Sequence, residues 1–402
     1  MVRKHWKVYM ERISCDKELI KEYIWKIMMA LLIFEKSLGL SSSSKLHNVY
    51  NLSGMLMLMG MLVVILMTKY TLRQYIVFLL MCAVCGMVTI CSHKTTMIFP
   101  VFAIYAAKDI RMDNYWDIIK WVWTAGFLTA VIMNVIGVRE SNIIMQYRFF
   151  GSKEDSFMRG DLGYGHPNTL YAVVDIMIIL WSFTPKRPRW YIYVVMSIIN
   201  ILIYCITLSS GGVVIGFLAI ICSACMKHIS KKMICVVSVI PCIVTMVCSI
   251  IYNHDNDVWY AINDVLSGRL NMVHEYLYRY GVKFFGQMYS GAEYYMCDNA
   301  YMNILLQLGI VMWLIIAVVY CVTIRKAYIN NDKRSMLICA IMLVYAFIEQ
   351  FFQNCFMNVS FLVIVEYFWS RDKWNINEYD RCKDSVTGEL DTGYIEKGQG
   401  IG

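Results

Sequence analysis

The chain has 402 residues, of which 59% are hydrophobic and only 16% are charged, and its mean hydropathy is +0.52. A soluble domain averages roughly 25% charged residues, so this composition excludes an ordinary soluble protein. The 5 prolines exclude a collagen-like or proline-rich disordered chain. The net charge of +8 comes without a stacking platform or a nucleic-acid-binding motif, so it does not indicate a nucleic-acid partner.

Apolar runs long enough for membrane helices recur along the whole chain. They predict an all-α, polytopic membrane bundle of about twelve transmembrane helices. In chain order the predicted spans are 24–40, 54–68, 75–91, 95–107, 117–137, 167–183, 190–208, 211–226, 233–252, 299–324, 335–350 and 357–369. We therefore divide the chain into a polar N-terminal segment (1–23) without a cleavable signal peptide, the bundle (24–370) and a polar C-terminal tail (371–402).

The distribution of lysine and arginine orients this bundle. With twelve spans and a cytoplasmic N-terminus, the inner segments contain 27 of the 37 basic residues, including "TPKRPR", "KHISKK" and "RKAYINNDKR". Basic residues concentrate in cytoplasmic loops. Both termini are therefore predicted to be cytoplasmic, and residues 138–166 and 253–298 become two long outer loops.

The 15 cysteines do not indicate disulfides or a metal site. Most lie inside apolar runs, and the CxxC pairs Cys82–Cys85 and Cys222–Cys225 have neither a βαβ context nor histidines nearby. We interpret them as small packing residues. The outer loops also contain no cluster of acids and histidines at metal-ligand spacing, so we predict no metal and no cofactor.

The two outer loops contain seven of the ten basic residues that the orientation leaves outside. They are Arg139, Arg148, Lys153, Arg159, Arg269, Arg279 and Lys283. Either these residues bind an anionic partner, or they are solvated together with the many neighbouring acids. Leu266, Leu270, Val273 and Leu277 follow helical spacing, which predicts a helix that packs on the bundle.

The stretch "LGYGHPNTLYAVVDIMIILW" (162–181) joins a polar turn to a span. Pro167 suits the first position of a helix, and Gly163 and Gly165 allow positive φ and close backbone approach. His166 then lies at a helix N-terminus, where unpaired N–H groups and the helix dipole favour a phosphate. The alternative is a plain tight turn that leads into a helix.

Five further residues are candidates for a functional role. Asn168 and Asp175 are seven residues apart and share a helix face, and Asp175 either faces a polar cavity or bonds within the bundle. Arg269 offers a planar fork suited to phosphate. Asp298 and Asn299 either cap the next span or line the same outer pocket.

The ordered set of "GYGHPN", a later "SS" turn, "LSGR" in a long loop and "DNAYMNILLQLGI" opening a late span resembles the O-antigen polymerase and O-antigen ligase-like family. The resemblance extends over about residues 50–370. One position departs from it, because relatives often carry an arginine after the serine turn, where this chain reads Ser209-Ser210-Gly211-Gly212.

The resemblance implies a GT-C-like glycosyltransferase of the bacterial cytoplasmic membrane that polymerises O-antigen, capsule or exopolysaccharide without a metal. Glycan would pass from undecaprenyl pyrophosphate to a sugar hydroxyl of a second lipid-linked unit, with a flippase and a chain-length regulator as further partners. In this interpretation His166 is the general base, with Glu275 and Asp298 in reserve, and Arg159 and Arg269 stabilise the pyrophosphate. The predicted substrate-binding residues are Gly165, Asn168, Arg148, Arg279, Asp298 and Asn299.

Three other functions remain open from the residues. A ligase that moves finished glycan to another acceptor would use the same groups. An oligosaccharide-lipid flippase or transporter fits the number of spans, although no internal repeat is visible. A non-catalytic partner of a synthase would leave the outer arginines unexplained.

Overall fold

The computed structural model describes residues 2–39, 47–110, 112, 115–150, 153–185, 187–266, 268–289 and 297–369, and side chains within these ranges except at 2–16, 47–50, 146–150 and 153–155. The predicted C-terminal tail, 371–402, lies outside this part of the chain. The described chain is mostly helical.

The helices of the first half follow one another with short connections except before α6. They are α1 (Val2–Leu38), α2 (His47–Met67), α3 (Leu72–Ser92), α4 (Ile98–Ala106), α5 (Tyr115–Val135), α6 (Pro167–Ser182), α7 (Trp190–Thr207), α8 (Ser210–Ala224) and α9 (Lys231–Ile251). The second half contains α10 (Asp257–Val265), α11 (Arg269–Tyr280), α12 (Ala300–Asn303), α13 (Gly309–Ile329), α14 (Lys333–Ile348) and α15 (Ser360–Phe368). A π-helical turn, Ile304–Leu308, joins α12 to α13, and a 3-10 turn, Gln350–Gln353, follows α14.

A helix lies at the position of each of the twelve predicted spans. Within the described ranges, α3, α5, α7, α9 and the continuous stretch 300–329 are long and apolar enough to cross a membrane, as expected of a membrane protein. α4 and α15 have 9 residues each, a length of about 14 Å, whereas the hydrocarbon core is roughly 30 Å thick. Neither of these two can cross the core as a single helix.

α6 is almost wholly enclosed by the bundle. It packs against α5, α7 and α8, and 13 of its 16 residues are buried. Trp123 of α5 donates its indole N–H to the Val173 carbonyl at 2.8 Å. On α8, a Cβ at Gly212 would lie 2.2 Å from the ring of Tyr171, so glycine lets the two helices approach. Because protein surrounds α6, the position of its N-terminus is closely fixed.

Three basic segments between helices lie together on one face of the bundle. Arg334 donates to the Phe183 carbonyl at 2.6 Å, and Lys231 donates to the Asn331 side chain at 2.6 Å. These bonds bring the three basic segments between α6 and α7, α8 and α9, and α13 and α14 together on one face. The two long loops lie at the other ends of the same helices. We call them the first excursion (136–166) and the second excursion (252–299).

The first excursion forms a β-hairpin, which the prediction of an all-α bundle did not include. Strands β1 (Ile143–Phe150) and β2 (Lys153–Gly160) pair antiparallel, from Ile143 opposite Gly160 to Phe150 opposite Lys153. In the sequence only Gly-Ser separates the strands, a spacing that is typical of hairpins. β1 is also rich in isoleucine and aromatic residues, which favour strands.

The second excursion is tied to the break between α12 and α13. The backbone N–H groups of Ile310 and Val311 donate to the carbonyls of Lys283 and Phe284, at 3.0 and 3.1 Å. Two glycines with positive φ, Gly286 (81°) and Gly309 (90°), lie in direct backbone contact there, and a Cβ on either would lie within 2.4 Å of backbone atoms. These bonds satisfy backbone groups that a helix break leaves unpaired.

Candidate functional site

Charged side chains from both excursions meet at the excursion face of the bundle. They come from the ends of five separate elements: the end of β2, the start of α6, the start of α11, the residue pair before α12 and the residue after α14. We call them the charged cluster: Arg159, His166, Arg269, Asp298 and Glu349. The five residues are spread over 190 positions of the sequence, and helix N-termini and chain reversals bring them together. No local sequence pattern therefore reveals the cluster.

Arg269 lies at the centre of the charged cluster, as the first residue of α11. Its Nη2 atom is 3.4 Å from Oε1 of Glu349 and 3.6 Å from Oδ2 of Asp298. Charge-assisted N–H···O bonds are usually about 2.7–2.9 Å long, so both contacts are loose. The buried Nε has no hydrogen-bond partner in the described structure. Arg269 therefore retains capacity to donate to an anion.

Glu349 is the functional candidate that the sequence did not indicate. It directly follows the last residue of α14, and its side chain is only 10% exposed. Burial, together with repulsion from Asp298, raises the pKa of Glu349 to about 8, although Arg269 and Arg159 pull it down. Its only sequence signal is a single acid that ends an apolar run.

Asp298 is the more accessible carboxyl, with 31% of its side chain exposed. Partial burial raises the pKa of Asp298, and Arg269 and His166 oppose this increase. An acid with a raised pKa that lies beside an arginine and remains partly exposed can accept a proton and pass it on.

Arg159 is held tightly on the other side of the charged cluster. It is buried, and its Nε donates to the Thr207 carbonyl at 2.5 Å while Nη2 donates to Oδ1 of Asn168 at 2.7 Å. Thr207 ends α7 immediately before the turn at Ser209 and Ser210. Arg159 thus joins the hairpin to the start of α6 and the end of α7.

His166 is the N-cap of α6 and lies at the helix N-terminus, as the sequence predicted. Its Nδ1 accepts the backbone N–H of Asn168 at 3.1 Å. A neutral imidazole has one acceptor and one donor nitrogen, so this cap puts the proton on Nε2. The surrounding protein and then Arg159 lower the pKa of His166, while Asp298 and Asp161 partly compensate. The neutral ring therefore presents an N–H donor to the site.

The other predicted site residues are distributed more widely. Gly165 has a φ of 81° in the turn that leads to His166, and Asn168 is the acceptor for Arg159. Asn299 caps α12, and its amide donates to Thr245 and to a backbone carbonyl, so it is used inside the bundle. Arg279 is exposed in the last turn of α11. Arg148 lies on β1, and its side chain is outside the described part.

Two further candidate acids lie elsewhere on the helices. Asp175 is fully buried in α6, and neither of its carboxylate oxygens has a hydrogen-bond partner in the described structure. Glu275, named as a reserve base, is exposed on α11 and accepts from Asn271 at 3.0 Å. Neither belongs to the charged cluster.

Within the described ranges, no three His, Cys, Asp or Glu side chains lie close enough to hold a metal ion. The thirteen cysteines whose side chains are described are all free thiols.

No protein-family model matches the chain, and neither a characterised protein nor a solved structure shows significant similarity to it.

Proposed function

We propose that the chain is a polymerase of bacterial surface polysaccharide, of the O-antigen, capsule or exopolysaccharide type. It would transfer glycan from undecaprenyl pyrophosphate to a sugar hydroxyl of another lipid-linked repeat unit. One observation carries this proposal: two arginines from two separate excursions converge with His166 at helix N-termini on one face of a membrane bundle. Such a site suits a pyrophosphate at a membrane surface.

The proposal includes twelve membrane segments in a GT-C-like bundle, with the excursions outside and both termini in the cytoplasm. The separation of the basic loops from the excursions supports it. Because α4 and α15 are short, each would need adjacent residues to complete its crossing. A cysteine at Asp332, on the basic face, should resist a membrane-impermeant maleimide in intact cells. Labelling from outside would contradict this orientation.

The chemistry follows from where charge develops. As the glycosidic bond to the lipid pyrophosphate breaks, its electron pair passes to the leaving phosphate oxygen, and negative charge grows there. Donors fixed in advance stabilise this charge more than they stabilise the bound substrate. Arg269 can supply its Nε–H, and His166 can supply its Nε2–H. The acceptor hydroxyl must lose its proton as its oxygen forms the new bond to the sugar.

Two residues compete for the role of general base. The sequence-based proposal assigns it to His166. The capping bond of His166 favours a different assignment of roles. In this assignment His166 donates to the pyrophosphate, and Asp298 accepts the proton of the acceptor hydroxyl. Asp298 is partly exposed and lies beside Arg269, so both substrates can reach it. We therefore propose Asp298 as the general base and His166 as a hydrogen-bond donor to the pyrophosphate.

Arg159 lies beside the serine turn at which this chain departs from the pattern of the O-antigen polymerase and ligase-like family. Relatives often carry an arginine after this turn, whereas this chain has glycines there. The Arg159 guanidinium donates to the carbonyl of Thr207, directly before the turn. We propose that the hairpin supplies the positive charge that relatives supply from the turn itself.

Glycan analysis of a deletion strain tests the proposal. Loss of long chains, with single repeat units still attached to the surface, is expected, and the wild-type gene but not R269A should restore them. Loss of attachment with long chains still made would indicate a ligase. Accumulation of lipid-linked units on the cytoplasmic side would indicate a flippase and would overturn the transferase assignment.

A further inference from the structure

α10 is an amphipathic helix that buries none of its residues. Val258, Ile262 and Val265 lie on one side of it, at spacings of four and three residues, and their exposed fractions are 67%, 41% and 82%. Asp257 and Asp264 lie on the opposite side and are also exposed. A helix whose apolar side is covered by no described part of the chain needs another apolar phase to cover it.

The position of α10 relative to α9 indicates what this phase is. α9 is a candidate membrane span that ends at Ile251, and its last turns expose Val247, Ile250 and Ile251, as expected of a surface that faces lipid. α10 begins six residues later, and Trp259 packs edge-on against Tyr252 at the end of α9, with ring centroids 6.2 Å apart. The apolar side of α10 therefore begins where a lipid-facing surface ends.

α10 is also joined directly to the helix that carries Arg269. The Asn263 carbonyl accepts the N–H of Gly268 at 2.8 Å, and the Asn263 side chain accepts the N–H of Asn271 at 3.0 Å. These two bonds fix the polar side of α10 to the first turn of α11. The depth of α10 therefore sets the depth of Arg269.

We propose that α10 is an interfacial helix that lies along the bilayer surface on the side of the charged cluster, with Val258, Ile262 and Val265 among the upper acyl chains. Amphipathic helices of this kind bury their apolar side about 5–10 Å into the boundary between headgroups and acyl chains. The two acids of α10 make this a contact with zwitterionic rather than anionic lipid. The inference rests only on the chain spanning a membrane and is independent of the proposed reaction.

Fluorescence quenching by brominated lipid tests the proposal on the full chain. I262W places a new indole on the apolar side, and D264W is the matched control on the polar side of the same helix. Each variant is reconstituted in nanodiscs of phosphatidylcholine, with and without bromine on the upper acyl carbons. The spectrum of the wild-type protein, which has 11 tryptophans, is then subtracted.

We expect the added fluorescence of I262W to be blue-shifted and reduced at least twofold by the brominated lipid. The added fluorescence of D264W should change by less than a fifth. Because α10 buries no residue, neither variant should change thermal unfolding, which verifies that both fold. Equal quenching of the two variants, or none at Ile262, would overturn the proposal and would indicate a protein partner for this side of α10.

Discussion

The two excursions contribute one arginine each to the same site but hold it in different ways. Arg159, at the end of the hairpin, is buried and donates at 2.5 and 2.7 Å to a carbonyl and an amide oxygen, which are neutral. Arg269, at the start of α11, lies 3.4–3.6 Å from two carboxyl groups, and its Nε has no acceptor in the described structure. Short bonds to one backbone carbonyl and one side-chain amide hold the Arg159 guanidinium in a fixed position. Long contacts leave Arg269 able to reorganise around an anion.

The two excursions also differ in how closely the helices next to their arginines are packed. The first excursion leads into α6, which is almost wholly enclosed, whereas α10 of the second excursion buries no residue. Substitutions on the first side should therefore act on stability as well as activity. Substitutions of Arg269, whose contacts are loose, should act mainly on activity.

The largest expected effect is at Arg269. Both R269A and R269K should lower polymerisation by about 10²–10³-fold, since an ammonium group cannot reproduce the forked donor geometry. Quantifying polymer from lipid-linked donor in nanodiscs would measure this. K283A, an exposed charge of the same excursion, is the control and should keep normal activity. Full polymer from R269K would reduce Arg269 to a bulk electrostatic role.

His166 should show a smaller effect if it caps α6 and donates through Nε2. H166A then removes a charge-assisted hydrogen bond and the cap, for a loss of about 10–100-fold in rate. H166N keeps a good cap and a donor, so it should lie within about tenfold of the wild-type rate. Polymer length and rate at matched membrane expression measure both. If H166N and H166Q are as inactive as H166A, with losses of about 10²–10⁴-fold, His166 is the general base.

The enclosure of α6 can be tested at a glycine. In G212A the new methyl group would lie 2.2 Å from the buried ring of Tyr171, whose hydroxyl is bonded to Asn200. Overpacking of this kind costs about 1–3 kcal/mol in the free energy of unfolding. G86A is the matched control, because a Cβ at Gly86 on α3 meets nothing within 4 Å. Thermal unfolding in nanodiscs should separate the two variants, and equal stability would mean that α8 can move away from α6.

Glu349 should produce a pH-dependent effect on stability. Its folded-state pKa of about 8 lies above the ordinary value of 4.5, so the folded protein retains a proton that the unfolded chain releases between these values. The stability from Glu349 is complete below pH 4.5 and is lost as the pH rises to 8. E349Q lacks this loss, so its stability relative to wild type should increase with pH, by at most about 1.4 kcal/mol per pH unit.

Thermal unfolding of the wild type and E349Q at pH 5 and pH 8.5 measures this difference. D264N, which changes an exposed acid, is the control and should show no such trend. A relative stability of E349Q that falls with pH would mean that the ion pair with Arg269 outweighs burial.

Chelation of divalent metal ions should have no effect on the rate of polymerisation. If the arginines alone stabilise the pyrophosphate, EDTA leaves the rate unchanged in the same nanodisc assay. Loss of activity that Mg²⁺ or Mn²⁺ restores would show that a cation shares the role of Arg269.

The sequence predicted the helix positions well because membrane helices depend on local hydrophobicity. Pro167 and His166 also marked the start of α6 correctly, since capping is a local signal. The hairpin was missed because only β1 has the alternating apolar residues of a strand, whereas β2 ("KEDSFMRG") has just two apolar residues, side by side. Glu349 was missed because a single acid after an apolar run gives no sign of Arg269, 80 residues earlier. The short lengths of α4 and α15 depend on tertiary packing, which hydropathy does not report.

The backbone bonds between residues 283–287 and the break at Gly309 have a consequence for sequence divergence. They require a fixed spacing and glycine at two positions, Gly286 and Gly309, but no other particular side chain. Homologous chains should therefore keep both glycines and their spacing in an alignment, whereas the side chains at 283–285 can vary. A fold secured by main-chain contacts can lose recognisable similarity long before it loses its shape.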